Sequence, residues 1–560
     1  MRKLITVAAF VLAVCCAPVA ASASTGISVP LTSPRSMTAV PPGFTTDARQ
    51  AIDAAEATRT MQALHRRDHP LNYTAQVYHG TEWWVDFYFH GKRVSEVVVN
   101  SIGRVTRVWT GPQAIAIYAR GHYAPIFDSP WVVIPFSLLF LVPFVDPRRF
   151  RRMVLLDALG VLSFLISYAM FDRAKLVPAV WLVYPPLIYL LGRMLWIGFG
   201  RTRDSLSAGL PGWLSTRTLL IGLLVLIGAR IALSLFSHIV IDVGYASVIG
   251  AHRILHGQSL YWAGAAHGDT YGPIAYLAYV PFELAFPWHG AWDYLISAHA
   301  AALAFDLLTI LGLVVLGRRL RPGAGGKRLG LALGWAWASC PFTLLVLMLH
   351  TDDGLVAMLS VWALVAFASP AGRGVLVGLA AAAKFAPAAL LPLFAGGYGR
   401  ARGAKQWFAT TAAFTVVVAG SIALFVPAGG LSEFYNHTIG FQLTRTDVFS
   451  PWALHPGLAP LKVVIEAGAL LLAAAVAFVP RERSLRQVAA LAAAITIAVQ
   501  LPALHWFYYY IAWFLPFVLV ALLAASEEPS PAPSLPALSS SPDHQPDQPG
   551  TERQPALTPA

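Results

Sequence analysis

Cysteine is nearly absent. There are three in 560 residues, with Cys15 and Cys16 in the N-terminal apolar run and Cys340 in a later one. No disulfide framework can be drawn from them, and no Cys/His spacing fits a zinc site. Charge is scarce too, at 12% of residues, about half the ~25% of a soluble domain. Hydrophobic residues make up 57% of the chain, and the mean hydropathy is +0.60. A water-soluble globule cannot hide that much apolar surface, which excludes an ordinary cytosolic enzyme. A disordered or collagen-like chain is excluded on the same grounds. What is left is a polytopic α-helical membrane protein with parts outside the membrane. The formal net charge of +12 invites a nucleic-acid partner. The basic residues, however, sit in short clusters between apolar runs, which reads as positive-inside bias.

Five segments follow from this patterning. Residues 1–23 have a charged start (Arg2, Lys3), an apolar stretch and a small-residue Ala21-Ser22-Ala23 site, as a signal peptide or an uncleaved anchor would. Residues 25–126 are polar and contain no span. One helix is expected over Ala48–His65, followed by strands at Asn72–His79, Trp83–Phe89, Arg93–Val99 and Val105–Thr110. Trp83, Val85, Phe87 and Phe89 alternate with Trp84, Asp86 and Tyr88, the pattern of a half-buried strand. This small α+β domain, with the phrase Gly103-Arg104-Val105-Thr106-Arg107-Val108-Trp109-Thr110-Gly111, resembles a PepSY-like domain, which implies an extracytoplasmic binding or regulatory module. Residues 129–200 hold accessory spans, and 218–525 form a membrane core. Residues 527–560 are a Pro/Ser-rich tail expected to be disordered and cytoplasmic.

A span needs about 20 residues. About 11 are expected, near 131–145, 153–171, 176–198, 218–240, 294–316, 329–348, 354–369, 407–427, 458–479, 487–503 and 507–525. Lys384, Pro387 and Pro392 interrupt a further run at 373–395, which reads as a broken or re-entrant helix. The arginine clusters agree with one alternating topology if 272–287 does not cross and 373–395 enters and leaves on the inside. Two long outer loops result, from Asp242 to about Asp293 and from Ala428 to about Pro456.

In the first loop an aspartate just after a span, Asp242, is followed by a helix. The helix ends in Leu255-His256-Gly257-Gln258-Ser259-Leu260-Tyr261, and Tyr271-Gly272-Pro273 comes after it. Further along stand Phe305-Asp306, His350-Thr351-Asp352-Asp353-Gly354, Lys384-Phe385-Ala386-Pro387 and His505-Trp506-Phe507-Tyr508-Tyr509-Tyr510. Their order resembles the GT-C membrane glycosyltransferases, and most closely the polyprenol-phosphate-dependent mannosyltransferases of glycosyltransferase family 87. The resemblance covers roughly 218–525. It implies transfer of a mannose-like sugar from a polyprenyl-phosphate donor to a cell-envelope glycan or glycolipid, on the outer face and with inversion. No cofactor is implied beyond the donor substrate. One Asp-bearing turn is not a metal ligand set.

The reaction needs a base for the acceptor hydroxyl and cations or hydroxyls for the departing phosphate. Asp242 is the expected base and Asp269 the runner-up; each could equally be an ordinary polar residue at a helix end or turn. His252, Arg253, Tyr271, Lys384, Arg445 and His505 are the candidates for binding donor phosphate or substrate. The rival roles are an interfacial basic face for His252 and Arg253, and aromatic anchoring for Tyr271 and His505. For Lys384 the rival is snorkelling, and for Arg445 a plain surface position. Asp352 and Asp353 are candidates for the acceptor, against simple compensation of a helix dipole. Arg193 and Arg230 interrupt spans and are read as helix–helix pairs. The competing functions are a lipid-carrier flippase or transporter, and a non-catalytic membrane sensor.

Overall fold

The computed structural model describes residues 31–524 other than 33, 35, 79–81, 91, 111–126, 148–152, 174, 201–209, 238, 262–269, 290–293, 398–402 and 445–448. The expected signal segment and the tail lie outside the described residues.

The N-terminal part is an antiparallel sheet of five strands in sequence order with two helices. Its elements are β1 (Leu31–Thr32), α1 (Ala48–Glu56), α2 (Arg59–Arg67), β2 (Asn72–Tyr78), β3 (Glu82–Phe89), β4 (Lys92–Asn100) and β5 (Val105–Thr110). The single helix expected over Ala48–His65 is two. Thr58 ends the first and caps the second, because its hydroxyl donates to the Ala55 carbonyl (2.8 Å) and accepts the Met61 N–H (3.3 Å). Trp83, Val85 and Phe87 pack into one core with Ala48, Ala51, Ile52 and Met61 from the helices. The half-buried reading of β3 is overturned, because Trp84 and Asp86 on the other face are buried as well, 5% and 1% exposed.

The helices that follow are α3 (Pro130–Leu141), α4 (Met153–Leu162), α5 (Phe164–Asp172), α6 (Leu176–Leu182), α7 (Tyr184–Phe199), α8 (Thr216–Phe236) and α9 (Asp242–Leu255). Next come α10 (Pro273–Leu277), α11 (Val280–Ala285), α12 (Ile296–Leu320), α13 (Gly323–Ser339), α14 (Pro341–Met348), α15 (Asp353–Val365) and α16 (Pro370–Ala383). The last are α17 (Leu391–Gly396), α18 (Ala404–Leu424), α19 (Gly430–Tyr435), α20 (Phe441–Thr444), α21 (Pro451–Leu454), α22 (Ala459–Ala475), α23 (Leu485–Gln500) and α24 (Ile511–Leu523).

Among the described residues, six helical segments are long and apolar enough to cross a membrane, or seven if α13 and α14, bent by 61° at their junction, count as one. The bend falls at Pro341, which has no N–H to continue the ladder. Spanning-length α18 and the segment Pro456–Ala475 are only 11% buried inside the protein, as lipid-facing helices should be. Every residue of the shorter α24 is buried, so it is an interior element, apolar all round. The short helices α10 and α11 cannot cross, in keeping with the parity expectation for 272–287. The run at 373–395 breaks at Lys384, between α16 and a 3₁₀ turn at Ala386–Leu390.

Among the described residues, two arginine–aspartate pairs tie helices together inside the bundle. Arg230 of α8 grips Asp306 of α12 through two bonds (Nε–Oδ2 2.8 Å, Nη2–Oδ1 2.5 Å). Its remaining donors go to the Ala338 and Thr343 carbonyls (both 3.1 Å), and Trp337 Nε1 donates to Asp306 (2.9 Å). Arg193 of α7 meets Asp157 of α4 at 3.0 Å. The helix–helix reading of both arginines holds. Asp306, part of the family-like pattern, is a packing residue.

Candidate active site

The site forms where the α14–α15 turn meets the ends of α8, α9 and α16. His350 opens that turn with a left-handed backbone (φ 49°), uncommon for a residue with a Cβ. Its buried ring fixes it: Nδ1 lies 2.6 Å from the Ile239 carbonyl and Nε2 3.2 Å from the Ser234 hydroxyl. The His299 ring lies against it, centroid to centroid 3.8 Å and tilted by 40°. The turn is thereby pinned to the chain leaving α8.

That pinning delivers Asp242. The Ile241 N–H donates to the Leu349 carbonyl at 3.2 Å. Gly244 then lets α9 lie against the turn, since a Cβ there would stand 2.3 Å from the His350 carbonyl oxygen. Asp242 starts α9 and is exposed. Its Oδ1 accepts the Val243 N–H at 2.8 Å. Its charge reaches both Asp352 and Tyr509.

Behind Asp242 lies a buried cluster. Lys384, where α16 breaks, places Nζ 2.8 Å from Asp352 Oδ1 and 3.9 Å from Asp353 Oδ1. The same ammonium sits 3.9 Å from the centre of the Tyr271 ring, a cation–π contact. Trp513 Nε1 donates to Asp353 Oδ1 at 3.0 Å. Asp352 is 1% exposed, and its Oδ2 has no hydrogen-bond partner. Asp352 lies in the turn, outside both flanking helices, and its carboxyl is pushed up to about 7. Burial is the largest cause; Lys384 pulls the other way, and Asp353 and Asp242 add repulsion.

Tyr271 arrives by a backbone dock. The Gly272 N–H donates to the Ala383 carbonyl at 3.1 Å. A Cβ on Gly272 would lie 2.0 Å from the Ala382 carbonyl oxygen. The Tyr271 N–H donates to Tyr276 Oη (3.1 Å), and the Tyr261 hydroxyl donates to the Tyr271 carbonyl (2.8 Å). The Leu-Tyr and Tyr-Gly-Pro phrases of the sequence are therefore one hydrogen-bonded unit seated on the end of α16.

The structure thus brings Asp242, Tyr271, Lys384, Asp352 and Asp353 together, and joins the lysine expected for the donor to the carboxylates expected for the acceptor. His252 and Arg253 face elsewhere: His252 Nδ1 is 3.1 Å from Glu283 Oε1, and Arg253 Nε donates to the Ser259 carbonyl at 2.6 Å. His505 packs in an aromatic group, edge-on to Phe449 (5.2 Å) and stacked on Phe507 (5.8 Å). Asp269 and Arg445 lie outside the described residues.

Sequence reasoning gave no site role to Tyr509, Trp513 or Tyr279. Tyr279 stands within electrostatic reach of Asp352, Asp353 and Lys384. Tyr508, Tyr509 and Tyr510 form a 3₁₀ turn, so their side chains leave about 120° apart. Tyr508 goes to the accessory helices, bonding Ser167 Oγ at 2.7 Å, while Tyr509 stands within electrostatic reach of Asp242 and Asp353.

Residues 270–504 match the family model described as glycosyltransferase family 87. Over that stretch the chain is similar to glycosyltransferase family 87. The match contains Tyr271, Asp352, Asp353 and Lys384; Asp242, His252, Arg253 and His505 fall outside it. Together with the helices of spanning length, the match supports a multi-pass membrane protein of the glycosyltransferase kind. No curated protein matches the chain.

Proposed function

We propose that the protein moves a mannose-like sugar from a polyprenyl-phosphate donor to a hydroxyl of a cell-envelope glycan or glycolipid, with Asp242 as the base. The acceptor oxygen gives its proton to Asp242 and bonds to the anomeric carbon. The bond from that carbon to the phosphate oxygen breaks, the electron pair leaves with the phosphate, and the configuration inverts. The observation that carries this reading is the pairing of an exposed carboxylate at the start of α9 with a buried, preorganised turn behind it.

Lys384, Asp352 and Asp353 form the floor of the site. With three carboxylates against one ammonium, this floor and Asp242 favour a neutral acceptor hydroxyl. Lys384 is the counter-ion of the turn, and Arg445 is the candidate ligand for the donor phosphate. The arginine distribution puts the N-terminal domain and both long loops outside the cell and the tail inside. The N-terminal domain then acts as an extracytoplasmic binding or regulatory module.

The test is sugar transfer in membranes that hold the full chain, with a panel of radiolabelled polyprenyl-phosphate sugars, native against Asp242→Asn. Label in product from the native chain alone supports the reading and names the sugar. Equal transfer by both moves the base away from Asp242. Absence of both transfer and donor binding by the native chain overturns the enzyme.

A further inference from the structure

A second polar cluster lies on the first long loop, away from Asp242. His252 is in the last turn of α9, ten residues after Asp242 and so about 15 Å along the helix. Glu283 of α11 is only 1% exposed. Its Oε1 accepts the Trp288 backbone N–H at 2.7 Å and faces His252 Nδ1 at 3.1 Å. Its Oε2 is buried with no hydrogen-bond partner, and so is the indole Nε1 of Trp288. The Trp288 ring stands edge-on to His252 at 5.1 Å, and the His256 ring packs on His252 at 4.0 Å.

Buried polar atoms left unpaired are costly and call for an explanation. Here an acceptor oxygen and a donor N–H go unused on two residues that share one backbone bond, beside aromatic faces. That combination suits neighbouring hydroxyls of a sugar: the carboxylate accepts from one, the indole donates to another, and the rings meet the apolar face of the pyranose. It does not suit the donor phosphate, which a buried carboxylate repels.

We propose that His252, Glu283 and Trp288 form a second saccharide subsite, holding a distal residue of a neutral oligosaccharide acceptor whose end reaches Asp242. The proposal rests on the glycosyltransferase reading and adds that the acceptor is a chain of several sugars, because a monosaccharide cannot bridge about 15 Å.

The test uses the full-length protein in lipid nanodiscs on an array of neutral oligosaccharides of graded length, from single sugars to hexasaccharides. Native protein should retain some longer chains and no single sugars. Glu283→Gln and Trp288→Phe should each weaken that retention about tenfold, as expected for one lost or unpaired hydrogen bond, with unchanged thermal unfolding. Glu283→Gln keeps an oxygen for the Trp288 N–H, and Trp288→Phe keeps a ring, so neither should unfold the loop. Retention of no oligosaccharide, equal retention of single sugars, or undiminished retention by both variants overturns the proposal. Transfer from polyprenyl-phosphate sugars, measured in parallel, separates the two readings: transfer without chain-length selectivity removes the subsite and leaves the enzyme.

Discussion

Replacing Lys384 with methionine keeps the bulk of the side chain and removes its charge. At 2.8 Å from Asp352 the direct attraction is about 6 kcal/mol for an effective dielectric of about 20. Much of this is offset by the cost of desolvating both ions, but stranding the buried carboxylate costs about 3–5 kcal/mol. Asp352 and Asp353 are each 1% exposed, so neither can turn to water for relief. Thermal unfolding of the solubilised full chain should therefore drop by several degrees in Lys384→Met. The double variant Lys384→Met with Asp352→Asn should regain more than half of that loss, because no unpaired charge is left on that residue. Transfer should follow stability. A single variant as stable as the native protein, or a double variant no better than the single, would refute the counter-ion role. A double variant of restored stability that still transfers no sugar would assign the Lys384–Asp352 pair to the substrate.

Two further outcomes follow from the geometry. Gly272→Ala places a methyl 2.0 Å from the Ala382 carbonyl oxygen, so the dock must open. Transfer should fall at least about tenfold while Tyr271→Phe, which keeps the ring over Lys384, stays close to native; native-like transfer by Gly272→Ala would show that the dock does not matter. Arg230→Met strands Asp306 among three helices and should cost about 3–5 kcal/mol, read as lost expression and a lower unfolding temperature. Near-native stability there would mean that the pair does not hold the helices.

Much of this architecture is legible in the residues. Hydropathy marks the apolar runs, Lys384 with its prolines marks a broken helix, and the strand-like runs at Asn72–His79, Trp83–Phe89, Arg93–Val99 and Val105–Thr110 mark the sheet. Hydropathy does not distinguish a long lipid-facing helix from a short interior one, so α15, α23 and α24 read as spans although each is under 18 residues. The site was legible as a set of residue types and not as a set of distances. Asp352 and Lys384 sit at the ends of different apolar runs, and nothing in their spacing says that they touch. The Gly244 and Gly272 contacts that bring the runs together show only in three dimensions. Glu283 did carry a signal: a lone carboxylate in the apolar stretch 272–287 needs a partner, and His252 is that partner. Tyr509 stood in a quoted run of three tyrosines, but nothing singled it out from its neighbours, because a 3₁₀ turn sends identical neighbours in different directions.

The Arg230–Asp306 pair also has a consequence for how the chain is made. The two residues are 76 positions apart, so at about 5–20 residues per second the arginine waits roughly 4–15 s for its carboxylate. During that interval α8 enters the bilayer with an unneutralised guanidinium at the fifteenth of its 21 residues, at a cost of up to about 2.5–3.5 kcal/mol on insertion scales. The helix therefore settles only when α12 arrives. The whole segment that carries Asp242, Tyr271 and Glu283 lies between the two residues and is made in that interval. Nascent chains arrested before Asp306 should be held poorly in the membrane, and chains arrested after α12 has emerged should be held firmly.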